Sequence, residues 1–365
     1  MKAQILYGIG NIKYTDTRMP VPTDEQALIK LTRCGICGSD VPRVFKTGAH
    51  NMPLIPGHEM AGVVEDCKAR PELVGKRVGI FPLIPCKRCP QCRTGHYEMC
   101  ENYNYLGSRC DGGFAEYMAA PAWNLLPIPD EVNDDEAAML EPMAVAVHAI
   151  RQVGLLDGDL SQTQSMENTN IVVCGLGTIG LLVAMFLRDA GYRNVFCIGN
   201  KDLQREKLVA MGFDSSCFCD VRRREAETYV LEKTSGKRAD VYFECIGRSE
   251  SYEQAVKCTG PLGRVMLVGN PASDMELTRQ TYWQILRNQL TLQGTWNSGF
   301  DGIDGNDDDW RYVLERLADW SMGFRPSDLI THRLQLSQLQ DGLDIMRRKS
   351  EEYVKIMIDY GMPDK

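Results

Sequence analysis

The 365-residue chain has no excess of positive charge: 41 Lys and Arg stand against 49 Asp and Glu, a net of −8. An acidic surface repels phosphate backbones, so no nucleic-acid partner is expected. Long apolar runs are missing too. The longest, residues 179–187, meets Arg188 and Asp189 well short of the ~20 residues a bilayer requires. No membrane partner is therefore expected. The opening MKAQILYGIGN is too short and too broken by glycine for a signal peptide. There is no internal repeat and no low-complexity tail. Cysteine, by contrast, is plentiful. Fourteen cysteines without an export signal favour reduced thiols and metal ligands in a cytoplasmic protein over a disulfide frame.

The length exceeds what one core serves, so two domains are expected. Up to about residue 150 the chain is rich in Gly, Pro and short apolar runs. ALIKLTRCGI, MAGVVEDC and KRVGIF read as strands between turns, which implies a small barrel-like β domain. From about Asn170 strand-like and helical runs alternate: NIVVC, residues 179–189, NVFCI, residues 203–211, ADVYFECI, residues 252–258, GRVMLVG. That order predicts a parallel, doubly wound α/β sheet. Residues 155–169 are polar and read as a linker. After LTLQG the alternation stops. The acidic DGIDGNDDD precedes a helix over about 310–320, where carboxylates suit the positive end of the helix.

CKRCPQCRTGHYEMC carries Cys86, Cys89, Cys92 and Cys100 at C-x2-C-x2-C-x7-C. Thiolates at such gaps can close a tetrahedral zinc site. The competing iron–sulfur pattern ends in C-x3-C-P, and this stretch does not. Four protein ligands leave no room for a substrate, so this zinc is structural. Lys87, Arg88 and Arg93 are placed to offset its negative charge.

A second set is open. Cys37, His58 and one carboxylate, from Glu59 or Glu141, supply three ligands and leave a fourth position vacant, the pattern of catalytic zinc. There a hydroxyl can bind and lose its proton more easily. Asp40 suits the far nitrogen of His58. Ser39, two residues past the thiolate, can relay a proton. His50, His96, His148 and His332 read as structural, and Cys34, Cys67 and Cys110 as non-ligands.

VVCGLGTIG places Gly175, Gly177 and Gly180 after a strand and, with Thr178 and Ile179, at the start of a helix: a dinucleotide fingerprint in its proper context. An NAD site wants an acid at the end of the second strand, and Gly199 stands there, followed by Asn200 and Lys201. Glycine leaves room for a 2′-phosphate, Asn200 can donate to it, and Lys201 and Arg205 add charge. NADP(H) is therefore favoured, with NAD(H) as the alternative.

Taken together, GHE at 57–59, the four-cysteine lobe, DGGFAEY at 111–117, EP at 141–142, GLGTIG and Lys355 on a late strand resemble the zinc-dependent medium-chain alcohol and polyol dehydrogenases. The resemblance spans nearly the whole chain. GSDVPRVFKTGAH, PLIPCKRCPQC, LGSRCDGGFAEY and GTWN are similar to a branch acting on polyol phosphates. It implies a GroES-like β-barrel catalytic domain over 1–154 containing the structural zinc lobe at 86–100. A Rossmann domain over 155–294 and a return to the catalytic domain over 295–365 follow. It further implies two zinc ions per chain, Glu141 as the resting carboxylate ligand with Glu59 able to approach, and a homodimer or homotetramer. Two departures stand out: the acid usual at position 199 in that branch is missing, and the 155–169 loop is longer than expected. The implied reaction interconverts a secondary alcohol of a polyol or polyol phosphate and its ketone with NADP(H). The alternative is an NAD-dependent free-polyol, sorbitol-type or L-threonine-type dehydrogenase. Arg43, Lys46 and Arg109 are the candidate cations for a phosphate or hydroxyls, and Trp296 and Asn297 the candidate pocket lining.

Overall fold

In a computed structural model, residues 1–157, 166–271 and 273–362 are described. They form two compact units, Met1–Ala144 with Ser298–Ser321 and Arg325–Lys365, and Val145–Asn297 with Met322–Phe324.

The first unit is built on a sheet ordered Ile330–Leu334, Lys355–Asp359, Gln26–Ile36, Glu59–Cys67, Arg77–Ile80 and Leu125–Pro127, with Tyr117–Pro121 also paired to Gln26–Ile36. The long strand Gln26–Ile36 alternates as half-buried strands do, sending Ala27, Ile29 and Leu31 inward. They meet Val64, Val78, Ile80, Phe114, Met118, Ile356 and Ile358 in one apolar core. Register then concentrates chemistry at one end of the sheet. Gly35 pairs with Glu59 on one side, and Ile36 pairs with Ile356, next to Lys355, on the other.

The second unit is a six-stranded parallel sheet, ordered Phe218–Asp220, Val195–Gly199, Ile171–Cys174, Ala239–Glu244, Thr259–Leu267 and Thr291–Gly294. Numbered along the chain this is 3-2-1-4-5-6, the doubly wound order of dinucleotide-binding sheets. Ile171–Cys174 and Val195–Gly199 are buried at every position, because helices cover both faces of such sheets.

In the alternating stretch the runs expected as strands and helices fall on observed elements, with one strand and two α-helices added. Strand Phe218–Asp220 is too short to show a period. Helices Ala226–Lys233 and Arg279–Asn288 are too charged to stand out as apolar runs. The boundaries also differ from expectation. The units divide after residue 144, inside the continuous helix Leu140–Gln152, and after residue 297, where the sequence suggested 154 and 294. A turn signal marks where a helix stops, not where its packing changes sides. Of the expected linker 155–169, residues 158–165 lie outside the described residues. Its first residue is anchored, since Tyr192 Oη donates to the Leu155 carbonyl at 2.6 Å. The acidic stretch before helix Asp309–Ala318 gives it a side-chain cap. Asp308 accepts from the Arg311 N–H at 2.9 Å, and Asp309 accepts from the Gly299 N–H at 2.6 Å.

Candidate metal and cofactor sites

The four lobe cysteines converge: the sulfurs of Cys86, Cys89, Cys92 and Cys100 lie within 4.8 Å of one another. The polypeptide supplies N–H donors to them. The Arg88 and Cys89 amides pull the Cys86 thiol down to about 6, while burial pushes Cys92 up to about 12. Four mutually close sulfurs cradled by amides suit a thiophilic cation. The side chain of Lys87 does not face them as expected. Its residue is left-handed (φ 58°), and its ammonium sits 4.7 Å over the Trp123 ring. The turn that aims its amide at Cys92 carries the side chain away.

The open set is assembled from two places in the chain. Cys37 follows the end of strand Gln26–Ile36, and Glu59 opens the next strand directly after His58. One ligand atom from each of Cys37, His58 and Glu59 lies within 4.8 Å of the others. Each is held by a partner. Asp40, fully buried, accepts from the Cys37 N–H at 3.0 Å, pairs with Arg43 and stands 3.5 Å from His58 Nδ1. Burial drives the Asp40 carboxyl up, and His58 and Arg43 outweigh it and hold the pKa below the usual range. Ser39 Oγ donates to Cys37 Sγ at 3.3 Å. Lys355 Nζ pairs with Glu59 Oε2 and donates to the Ile36 carbonyl at 3.3 Å, both ionic side chains being 2% exposed. Gly35 makes room for them, since a Cβ there would come within 2.0 Å of Glu59 Oε2 and 2.8 Å of Lys355 Cε.

Burial works against a charged His58, yet Asp40 and Cys37 overcome it and raise its pKa well above the ordinary value. The pocket thus demands a positive charge at this point. Neutral imidazole, thiolate and carboxylate around a divalent cation satisfy that demand, so the donor set fits zinc. The sequence ranked Glu141 first as resting ligand. The geometry puts Glu59 in the close group and Glu141 beside it, with the Tyr105 hydroxyl donating to Glu141 Oε1 at 3.4 Å. Burial raises Glu141 to about 7, Glu59 adding to the rise against His58, Lys355 and Tyr105. Tyr105, edge-on to His58 at 5.9 Å between rings, gave no sequence signal, because only folding brings it there.

The candidate substrate cations already have partners or stand outside. Arg43 is tied to Asp40, and the Arg109 guanidinium lies 4.3 Å from the Tyr103 ring centre. Lys46 is exposed on the helical turn Arg43–Thr47. Trp296, 53% exposed, and the left-handed Asn297 (φ 59°) belong to the second unit. His96 and His332 pair with Glu98 and Glu351 at 3.2 and 3.3 Å.

In the second unit, Gly175 is left-handed (φ 91°), and a Cβ on Gly180 would come within 2.1 Å of the Gly175 carbonyl. Helix Thr178–Asp189 can therefore seat directly on the turn. Gly177 caps that helix without a side chain and has nothing within 4 Å of where a Cβ would stand. With no side-chain cap at Gly177, the first N–H groups of the helix lack the partner that a capping side chain supplies, as a pyrophosphate-binding terminus requires. The turn Gly199–Lys201 is held by Gln204, whose Oε1 accepts from the Asn200 and Lys201 amides at 2.9 and 3.1 Å. A Cβ at residue 199 would come within 2.4 Å of that oxygen, a second reason for glycine there. Arg205 is exposed on the following helix.

Comparison with known proteins covers both units. Residues 23–130 match the alcohol dehydrogenase GroES-like domain, and residues 178–319 match the zinc-binding dehydrogenase domain. Galactitol 1-phosphate 5-dehydrogenase of Escherichia coli K12 is 31% identical over 337 residues, 91% of this chain and 92% of that protein. The crystal structure of the Escherichia coli galactitol-1-phosphate dehydrogenase superposes with a TM-score of 0.84 at 29% identity, covering 98% of this chain and 100% of that one. L-threonine 3-dehydrogenase of Chromobacterium violaceum is 26% identical, covering 96% of each chain.

Proposed function

Since the chain belongs to the zinc-binding alcohol dehydrogenases, we propose that it interconverts a secondary alcohol of a polyol or polyol phosphate and the matching ketone, with NADP(H) as hydride carrier. The observation that carries this reading is the convergence of Cys37, His58 and Glu59 within 4.8 Å, one thiol, one imidazole and one carboxylate. A zinc ion held by them would supply the Lewis acidity that makes a hydroxyl easier to deprotonate. Asp40, 3.5 Å from His58 Nδ1, orients the His58 ring. Lys355 gives the buried Glu59 its counter-charge. Ser39 Oγ is partly exposed and can take a proton on its lone pair while passing its own outward. Glu141 and Tyr105 stand beside the donors as a second carboxylate and its hydrogen-bond partner. The uncapped helix N-terminus at Gly177 would hold the pyrophosphate, and the Gly199–Lys201 turn would receive the 2′-phosphate. A second zinc, in the lobe, is structural.

A free-polyol or L-threonine-type substrate is the second reading. It is favoured by the engagement of Arg43 with Asp40 and of Arg109 with Tyr103, which leaves fewer uncommitted cations for a phosphate. Initial rates with sugar alcohols, their phosphates and L-threonine, each with NADP and NAD, decide between them, alongside a zinc count. Oxidation of a polyol or its phosphate with two zinc ions per chain supports the main reading. No rate on any alcohol sinks it, and a tenfold preference for NAD overturns the cofactor assignment.

A further inference from the structure

We infer that Arg222 sets the choice between NADP(H) and NAD(H) by covering a carboxylate, Asp220, that the neighbouring strand brings to the ribose end of the site. The inference rests on the dinucleotide reading of residues 175–180 and deepens it. The acid missing from position 199 reappears one strand over. Asp220 is the in-register partner of Gly199 at the carboxyl edge of the parallel sheet, and the Val221 N–H donates to the Gly199 carbonyl at 3.0 Å. Neighbouring strands lie about 4.8 Å apart. An uncovered Asp220 would therefore sit beside the turn expected to receive the 2′ position, accepting from a hydroxyl and repelling a phosphate.

It is not uncovered. Arg222 donates to Asp220 Oδ1 through its amide at 3.0 Å and through Nε at 2.9 Å. Its Nη2 reaches Asp220 Oδ2 at 2.8 Å and Asp202 Oδ1 at 3.0 Å. The two-pronged contact is the geometry that suits guanidinium and carboxylate. Asp220, 15% exposed, lies beneath Arg222, 43% exposed. Asp202 directly follows Lys201, so the guanidinium spans from the third strand to the turn that faces the cofactor. Nη1 has no partner among the described residues and is left for an incoming oxyanion. Arg222, shared between Asp220 and Asp202, thus offsets most of the repulsion from Asp220, with Arg223 Nε standing farther off at 3.5 Å from Asp220 Oδ2, and it presents a donor of its own. Without it the edge carries an acid whose remaining cation, Arg223, stands 3.5 Å away, an arrangement better suited to a ribose hydroxyl.

The test uses the full chain and two probes that differ by one phosphate, 2′,5′-ADP and 5′-AMP, titrated by calorimetry against wild type, R222Q, D220N, R222K and R222Q/D220N. Melting curves establish that each variant is folded. R222Q weakens 2′,5′-ADP at least tenfold and changes 5′-AMP less than twofold. Adding D220N recovers much of the loss, and R222K, which keeps the charge without the fork, falls between wild type and R222Q. Equal losses for both nucleotides, or a double variant no better than R222Q, overturn the inference. A wild type that binds 5′-AMP more tightly than 2′,5′-ADP would defeat the NADP reading alone. The Arg222 inference would still be decided by the shift in the ratio.

Discussion

The barrel unit contains two metal-type clusters with opposite construction. The lobe draws all four ligands from residues 86–100 and satisfies them with its own amides. The open set draws on positions 37, 58 and 59, and each ligand leans on a side chain from elsewhere, Asp40 for His58 and Lys355 for Glu59. A closed site needs only local geometry, because the cation cancels the thiolate charge. An open one must keep buried charges in balance while one position stays vacant, so it recruits counter-charges from distant parts of the chain.

The largest effect that separates the two comes from their ligands. Replacing Cys37 or His58 by alanine should cut alcohol oxidation by about a thousandfold or more, the worth of several kcal/mol at the transition state, with half the zinc lost and the melting curve little changed. Cys89→Ser or Cys92→Ser should also halve the zinc but lower unfolding stability by about several kcal/mol. Equal melting shifts from His58→Ala and Cys89→Ser would erase the distinction. Next comes Lys355→Met. It leaves Glu59 buried without its cation, which should cost about 3–5 kcal/mol in denaturant unfolding; a change under 1 kcal/mol would show that Glu59 is held in another way. Smaller still, Arg109→Ala should raise KM for a sugar phosphate about tenfold and leave the free polyol nearly unchanged; equal changes would remove Arg109 from phosphate recognition. The mildest test is chemical. After chelation of the metal at pH 7, Cys86, drawn down to about 6, is mostly thiolate, and Cys92, pushed up to about 12, is a thiol. Mass spectrometry of a brief alkylation should find Cys86 labelled before Cys92, and the reverse order would mean that the amides do not hold the lobe's charge.

How much could be read in advance follows the same division. The lobe was plain from its spacing, and the fingerprint glycines from their place between a strand run and a helix run. Cys37 and His58 were singled out by side-chain type together with a carboxylate, and the fold brings the two close to each other. The order of the two carboxylates was not readable, because it depends on Lys355 reaching Glu59 and Tyr105 reaching Glu141, contacts made across 296 and 36 residues. Lys87 misled for a local reason: its sequence position beside two cysteines says nothing about a left-handed backbone that turns the side chain onto Trp123. Asp220 escaped because a search for an acid at the end of the second strand looks along the chain, and this one arrives from the side.

The pairing of Lys355 with Glu59 also fixes an order of events during synthesis. The lobe has all its thiols as soon as residue 100 has left the ribosome, while most of the chain is still unmade. Glu59 has no counter-ion until strand Lys355–Asp359 emerges and docks beside Gln26–Ile36. A nascent chain released before that strand would have its four lobe thiols but a Glu59 without its counter-charge.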